Sequence, residues 1–300
     1  MMAQGVKDDS HLERLLNDSS YAAQEKLDGM RAIIHITNKG IRVFSRSAGV
    51  GDPTRPLEKT GSLPHLVSLE FPQLVGTILD AEILVPGVDS ASLAGAIHSK
   101  ESSGVNGLVK AFVFDVVAYC KDDLHARPLR DRYRYLEFTR TRLHSPHFDF
   151  LSWAFSTIEK KRLHRQVIKN GGEGIMLKNL DSTYAIGSRP ANCWYKAKKS
   201  MTIDAVVIGF SKGKGKFNEQ IGAVRFGQYI DGELVELGQA SGMTDIERSE
   251  MSEYPSRYLG KVVRIKGMER LKSGAIRHPV YAGLNRDKDP RQCIWYQGEQ

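Results

Sequence analysis

Cysteine is scarce: Cys120, Cys193 and Cys293 are the three in 300 residues, far apart and with no Cys-x-x-Cys spacing. That excludes a zinc ribbon and a disulfide framework, and it fits a reducing cytosol. Long hydrophobic runs are absent too, none approaching the ~20 residues that span a bilayer. The opening Met1-Met2-Ala3-Gln4-Gly5-Val6-Lys7-Asp8-Asp9 lacks the apolar stretch of a secretory signal. No tandem repeat is found, and low complexity is confined to Ser211-Lys212-Gly213-Lys214-Gly215-Lys216, which reads as a flexible basic loop. A cytoplasmic protein with no membrane partner is expected.

What is present is an ordinary globular mixture, 41% hydrophobic and 26% charged, with chain enough for two domains. Lys plus Arg is 43 against 35 Asp plus Glu, a net +8 compatible with a polyanionic partner. The split is 28 basic to 22 acidic up to residue 200 and 15 to 13 after it, so the excess is not held in a basic tail.

Patterning predicts an early helix capped by Asp9-Ser10, with Leu12, Leu15 and Leu16 as its apolar stripe. A hairpin follows, with 32–36 and 41–45 flanking Asn38-Lys39-Gly40. Strands are expected at 78–85, 109–117 and 174–178, and helices at 131–143 and 157–169, the latter ending at Asn170-Gly171-Gly172. After Ser200 short β-type runs recur at 205–209, 221–226, 234–237 and 262–265, with a helix near 244–253. About five short strands is the rhythm of a small barrel such as an OB-fold. The fold class expected is α+β, with domains at 1–200 and 201–300.

Three strings carry chemistry. In Glu25-Lys26-Leu27-Asp28-Gly29-Met30-Arg31, a lone lysine beside acids is ordinarily an exposed turn. The four fixed positions of K-x-D-G-x-R, however, arise by chance in under ~1% of chains this long. The string suits a nucleophilic lysine. An amine attacks phosphorus only when deprotonated, so nearby cations, here Arg31 and a metal, must lower its pKa. Asp28 could orient a reacting hydroxyl or a metal, and Gly29 would let a phosphate approach the backbone. Glu173-Gly174-Ile175-Met176-Leu177-Lys178 reads alone as a buried strand with charged ends. In Trp194-Tyr195-Lys196-Ala197-Lys198 alternation puts both lysines on one strand face, which suits a phosphate between them or a solvated basic edge.

In this order the three strings resemble the covalent nucleotidyltransferases, specifically the ATP-dependent DNA ligases. Ser45-Arg46, Asp80-Ala81-Glu82, Phe114-Asp115 and Ser182-Thr183-Tyr184 through Arg189 resemble that family's intervening motifs, and 213–216 and 274–279 its OB domain. The resemblance covers roughly residues 20 to 290. It implies an α+β nucleotidyltransferase (ATP-grasp-like) domain, with antiparallel sheets and helices, followed by an all-β OB-fold. The implied activity seals 5′-phosphate/3′-hydroxyl nicks in duplex DNA through a lysyl-AMP, using ATP and Mg²⁺ or Mn²⁺.

The residue roles follow from the same resemblance. Lys26 is the adenylated nucleophile, and Glu25 and Lys178 line the nucleotide site. Arg31 and Glu82 contact the ribose, and Arg46 a phosphate of the nucleotide or the nick. Phe114 stacks on adenine, Glu173 binds the divalent metal with Glu82 near it, and Lys196 and Lys198 hold the α-phosphate. Asp28 assists the nick's 3′-hydroxyl. Arg46, Arg189, Lys212, Lys214 and Lys216 contact DNA, and a monomer is expected. An OB domain that closes over ATP and then swings to grip the duplex would need a hinge near 199–204.

The chain departs from the family twice. Asn285 stands where the last motif's arginine is expected, with Arg286 one place later, and only about 25 residues precede Lys26, as in a compact two-domain ligase. RNA ligases, GTP-using mRNA capping guanylyltransferases and a non-catalytic OB-type nucleic-acid-binding protein are the alternatives.

Overall fold

The computed structural model describes residues 1–48, 56–88, 92, 93, 95, 97, 106–271 and 273–296. The chain divides into two compact units, Met1–Lys198 and Lys199–Gln300. Among the described residues no helix is long and apolar enough to cross a membrane.

The first unit opens with β1 (Gln4–Gly5), α1 (Asp9–Asn17), β2 (Tyr21–Glu25), β3 (Met30–Thr37), β4 (Gly40–Ala48) and β5 (Pro56–Glu58). It continues with α2 (Pro64–Val67), β6 (Ile78–Leu84), β7 (Lys110–Tyr119), β8 (Asp122–Asp123), α3 (Leu129–Arg140), β9 (Phe148–Phe150), α4 (Thr157–Lys169), β10 (Gly174–Asn179) and β11 (Trp194–Lys198). These strands form two sheets. One runs β1-β11-β10-β2; the other runs β5-β4-β3-β6-β7-β8, with β9 added beside β7. The pairings are antiparallel apart from two short parallel ones, β1 with β11 and β7 with β9.

Local signals account for most of these boundaries. In β3 the alternation of Ala32, Ile34 and Ile36 sends three side chains into the core of the larger sheet, all fully buried. In α4 the hydroxyl of Ser156 accepts from the Glu159 amide while Glu159 accepts from the Ser156 amide. Gly171, at φ +77°, turns the chain out at the other end. The cap of α1 is not at Asp9-Ser10 as expected. Asp8 takes it, its carboxylate accepting from the His11 amide at 2.7 Å, because Asp8 is the residue left in extended geometry while Asp9 and Ser10 already belong to the helix. α3 begins two residues before the expected start, directly after Pro128, and ends at Arg140, three short of the expected Leu143.

Two buried cations have structural work. Lys160, fully buried on α4, donates to the carbonyls of Asp18 at 2.6 Å and Tyr21 at 2.9 Å, satisfying acceptors just past the end of α1. Arg132 of α3 makes a bidentate pair with Asp115 of β7, at 3.0 and 2.8 Å, and donates also to the carbonyls of Arg127 and Ser182. Both charged groups are shielded from water, so each depends on the other.

The second unit contains β12 (Met201–Lys212), β13 (Ile221–Ile230), β14 (Glu233–Ala240), α5 (Asp245–Glu253), β15 (Val262–Gly267) and β16 (Val280–Leu284). They form one antiparallel sheet in the order β14-β13-β12-β15-β16. Asp231 and Gly232, both at positive φ, make the tight turn between β13 and β14. The start of the 211–216 stretch is strand rather than the loose loop the composition implied, and the loop itself begins at Gly213. Ser211 and Lys212 pair with Ala223 and Ile221 of β13, and Gly213 donates to the Gln220 carbonyl at 2.9 Å. The strand ladder holds these residues despite their polar composition. Asp204 of β12 accepts from Lys288 at 3.0 Å and from Asn285 at 3.3 Å.

Candidate active site

The site is assembled where β2 ends and β10 begins. The Lys26 amide donates to the Gly174 carbonyl at 2.9 Å, so the residue after β2 is tied to the start of β10. The β10–β11 ladder pairs Gly174 with Lys198 and Met176 with Lys196. Glu173, one residue ahead of β10, is thereby placed between two lysines. One carboxylate oxygen accepts from Lys26 Nζ and the other from Lys198 Nζ at 2.8 Å, with Glu173 only 6% exposed. Gly174 makes this crossing possible: at φ +139°, a Cβ there would lie 2.0 Å from the Ala197 carbonyl oxygen.

Beside this trio opens a cavity of about 350 Å³, within the range of small-ligand sites. Its lining falls into two groups. One is cationic: Lys26, Lys196, Lys198 and Arg189. Burial lowers the pKa of Lys196, and the neighbouring charges of Lys198, Lys26 and Arg189 lower it further while Glu173 opposes them. The other group is flat and apolar: Phe114 and Trp194, edge to face at 6.2 Å, with Met176 packed against them.

Lys178 lies fully buried against the apolar group. Its ammonium is 4.2 Å from the Trp194 ring centre and 4.5 Å from that of Phe114, and it donates to Gln24 Oε1 at 2.6 Å. Burial lowers its pKa to about 7. Gln24, itself buried, donates in turn to the Leu151 carbonyl at 3.3 Å.

Arg31 and Glu82 line the cavity from the larger sheet. Arg31, expected as a cation near Lys26, is itself held by a buried carboxylate. Its guanidinium is paired bidentately with Asp80, at 2.9 and 2.6 Å, and donates to the Tyr184 hydroxyl and the Met1 carbonyl. The carboxylate of Asp80 is fully buried, so neutralising it requires that guanidinium. Glu82, whose Oε1 accepts from the Gly29 amide at 3.2 Å, has its pKa raised by burial to about 7. Gly29 lines the cavity too, and packing alone would require glycine there, since a Cβ would fall 2.5 Å from the Ile83 carbonyl oxygen. Glu25 also lines the cavity, and burial raises its pKa.

Of the residues singled out from sequence, Glu25, Lys26, Arg31, Glu82, Phe114, Lys178, Arg189, Lys196 and Lys198 line one cavity, with Glu173 joined to it by its ion pairs. Asp28 is exposed in the turn and does not line it. Arg46 belongs to β4 beside the lining residue Ser45, but its side chain lies outside the described residues. Lys212 and Lys214 are exposed on the second unit, and the Lys216 side chain also lies outside the description. Sequence reasoning missed Met2, Ala3, Gln24, Leu151, Met176 and Trp194 as lining residues. A visible signal existed for Trp194, at the head of the paired-lysine string. None existed for Met2 and Ala3, which reach the cavity because β1 runs parallel to β11.

Among the described residues no group of three or more His, Cys, Asp or Glu is placed to hold a metal. A magnesium ion that keeps most of its waters needs only one or two carboxylates together with substrate phosphates; Glu82 lines the cavity, while both carboxylate oxygens of Glu173 are engaged by Lys26 and Lys198.

Residues 1–198 match the family model described as "ATP dependent DNA ligase domain". The chain is 29% identical over 298 residues to a DNA ligase of Natronomonas pharaonis, a match covering 90% of this chain and 52% of that protein. It is 32% identical over 234 residues to a probable DNA ligase of Kineococcus radiotolerans, covering 75% and 43%. The chain thus spans about half the length of the curated relatives it matches. In fold it is similar to a solved structure described as "DNA binding with a minimal scaffold: Structure-function analysis of Lig E DNA ligases", with a TM-score of 0.65, 21% identity, and coverage of 95% of this chain and 99% of that one. With its whole first unit matched by the family model, the chain belongs to the family of the ATP dependent DNA ligase domain.

Proposed function

We propose that the protein is an ATP-dependent DNA ligase that seals nicks between a 5′-phosphate and a 3′-hydroxyl, working as a monomer in the cytoplasm. Residues 1–200 form its adenylation domain and 201–300 an OB-fold domain, a reading that the five-stranded antiparallel sheet with its single intervening helix supports. The observation that carries the reading is the Lys26–Glu173–Lys198 contact beside a cavity with an aromatic wall and a cationic wall.

On this reading the base lies against Phe114 and Trp194, with Gln24 and Lys178 as the polar groups beside it. The phosphates lie toward Lys196 and Lys198. The Lys26 nitrogen attacks the α-phosphorus: a P–N bond forms, the bond to pyrophosphate breaks, and the amine's proton has Glu173 as its nearest acceptor. Lys196 and Lys198 stabilise charge on the phosphate oxygens, in a site already shaped for it. Mg²⁺, held by Glu173 and Glu82, would supply further neutralisation of that charge.

The AMP then passes to the nick's 5′-phosphate, and the 3′-hydroxyl displaces it, with Asp28, exposed two residues after Lys26, assisting that oxygen. Arg46, Arg189, Lys212, Lys214 and Lys216 provide phosphate contacts to the duplex. Incubation with labelled ATP or GTP and Mg²⁺, followed by a denaturing gel, tests the reading. A ligase takes label from ATP, a capping enzyme takes it from GTP, and a binding protein takes neither.

A further inference from the structure

Between residues 160 and 172 the chain carries Lys160, Lys161, Arg162, Arg165 and Lys169, with no acidic residue. The structure sorts these five cations into two kinds. Lys160 is buried on backbone carbonyls, and Lys161 is paired with Glu13 of α1 at 2.7 Å. Arg162, Arg165 and Lys169 are exposed, and among the described residues no ion pair or hydrogen bond engages their side chains. The nearest carboxylate on the same helix, Glu159, accepts from the amides of Phe155 and Ser156 at 3.0 and 2.9 Å, and the Arg162 charge acts on it without a salt-bridge contact. His164 is partly buried, and burial lowers its pKa while the charge of Glu13 opposes that shift.

The three exposed cations share one face. At 3.6 residues per turn, positions 162, 165 and 169 fall within about 60° of one another and span about 10 Å. The 165–169 and 162–165 spacings put like charges next to each other, an arrangement that destabilises a helix left to itself. Ile158, 69% exposed, lies on the same face at its other end.

The chain just past the end of α4 lies close to the cavity. α4 closes at Asn170, and Gly171, Gly172 and Glu173 carry the chain to the start of β10. Gly172 sits against the cavity-lining Glu25, its Cβ direction 3.4 Å from the carboxylate. Lys169 is four residues from Glu173, in the last turn of α4, and Arg165 and Arg162 lie one and two turns earlier.

We propose that this face of α4 is a contact surface for the phosphate backbone of duplex DNA, carrying the duplex away from the nick. Choosing a duplex as the partner rests on the ligase reading; the surface itself rests on the three unpaired cations. An arginine or lysine on a helix face neutralises phosphates without reading bases, so the contact is independent of sequence and sensitive to salt.

The test is the salt dependence of binding to a nicked duplex of mixed sequence, for the full chain and for Arg162→Ala/Arg165→Ala/Lys169→Ala. The three positions are exposed, and alanine is the better helix former, so the fold should persist. The log–log slope should fall by about 2–3 units, while lysyl-AMP formation from ATP, a step without DNA, stays within twofold of the unsubstituted chain. A second variant, Arg162→Lys/Arg165→Lys, keeps the charge and should keep the slope. An unchanged slope in the alanine variant would overturn the proposal, as would a loss of lysyl-AMP formation in it, which would make the effect one on the fold. If the unsubstituted chain forms no lysyl-AMP yet binds duplex with a slope that the alanine variant lowers, the ligase reading fails and the surface stands.

Discussion

Glu173 accepts from Lys26 through one carboxylate oxygen and from Lys198 through the other, with 6% of its own side chain exposed. A lysine held this way is positioned by its ion pair, and an amine must give up a proton before it can attack phosphorus. Glu173 is therefore both the group that aims Lys26 and the acceptor nearest to its proton. Glu173→Gln should keep the shape and slow lysyl-AMP formation by at least ~10²-fold, the scale of losing a positioned acid–base group. Rapid-quench measurement of the first turnover checks this, and a near-normal rate would assign Glu173 to ion pairing alone.

Lys196 and Lys198 are placed for different work. Lys198 shares Glu173 with Lys26, whereas Lys196 has its charge disfavoured by burial and by three neighbouring cations, a strain that an anion would relieve. Each alanine substitution should slow adenylate transfer ~10²–10³-fold in single turnover. Lys196→Ala should in addition weaken ATP binding, readable as a raised KM. Unchanged rates in both variants would return the pair to a solvated strand edge.

The buried Arg132–Asp115 pair should matter for stability rather than for the chemistry. Asp115→Ala leaves Arg132 charged and uncompensated, a loss of about 3–5 kcal/mol. Asp115→Leu combined with Arg132→Met removes both charges, and the double variant should recover most of that loss. Urea unfolding of the two variants provides the measurement; equal destabilisation in both would contradict the pairing argument.

Glu82 gives a pH signature. Its pKa rises by burial from 4.5 to about 7 in the fold, so the folded state holds its proton more tightly than the unfolded chain does. Its penalty is absent below pH 4.5 and grows as pH rises through that value, levelling off once the pH passes about 7. Glu82→Gln cannot ionise and should be more stable than the parent at pH 8 yet nearly equal to it at pH 4.5. Thermal melts of both proteins across this range check the sign, and a parallel offset at all pH values would contradict it.

Much of the site was legible because its residues are close in sequence to the elements that aim them. Lys26 follows a strand directly, Glu173 precedes one, and Lys196 and Lys198 share a face by simple alternation. Helix α4 was legible at its end from Asn170-Gly171-Gly172, a local stop signal. What escaped was long-range. Arg31 looked like a cation available to Lys26, and nothing within its string shows that Asp80, 49 residues on, would claim it. The same holds for Asp115 and Arg132, and for Lys160 reaching back to the end of α1. The lysine-glycine stretch at 211–216 misled for the opposite reason: composition favours a loose loop, but pairing with β13 extends β12 through Lys212.

The most direct measurement is the fate of labelled ATP on the full chain and on Lys26→Ala. The parent should carry an acid-labile, base-stable AMP adduct and the variant none, while the variant should partly seal a nick that already carries AMP. An adduct that persists on Lys26→Ala, or one that forms from GTP and not from ATP, would contradict the ligase reading with Lys26 as its nucleophile.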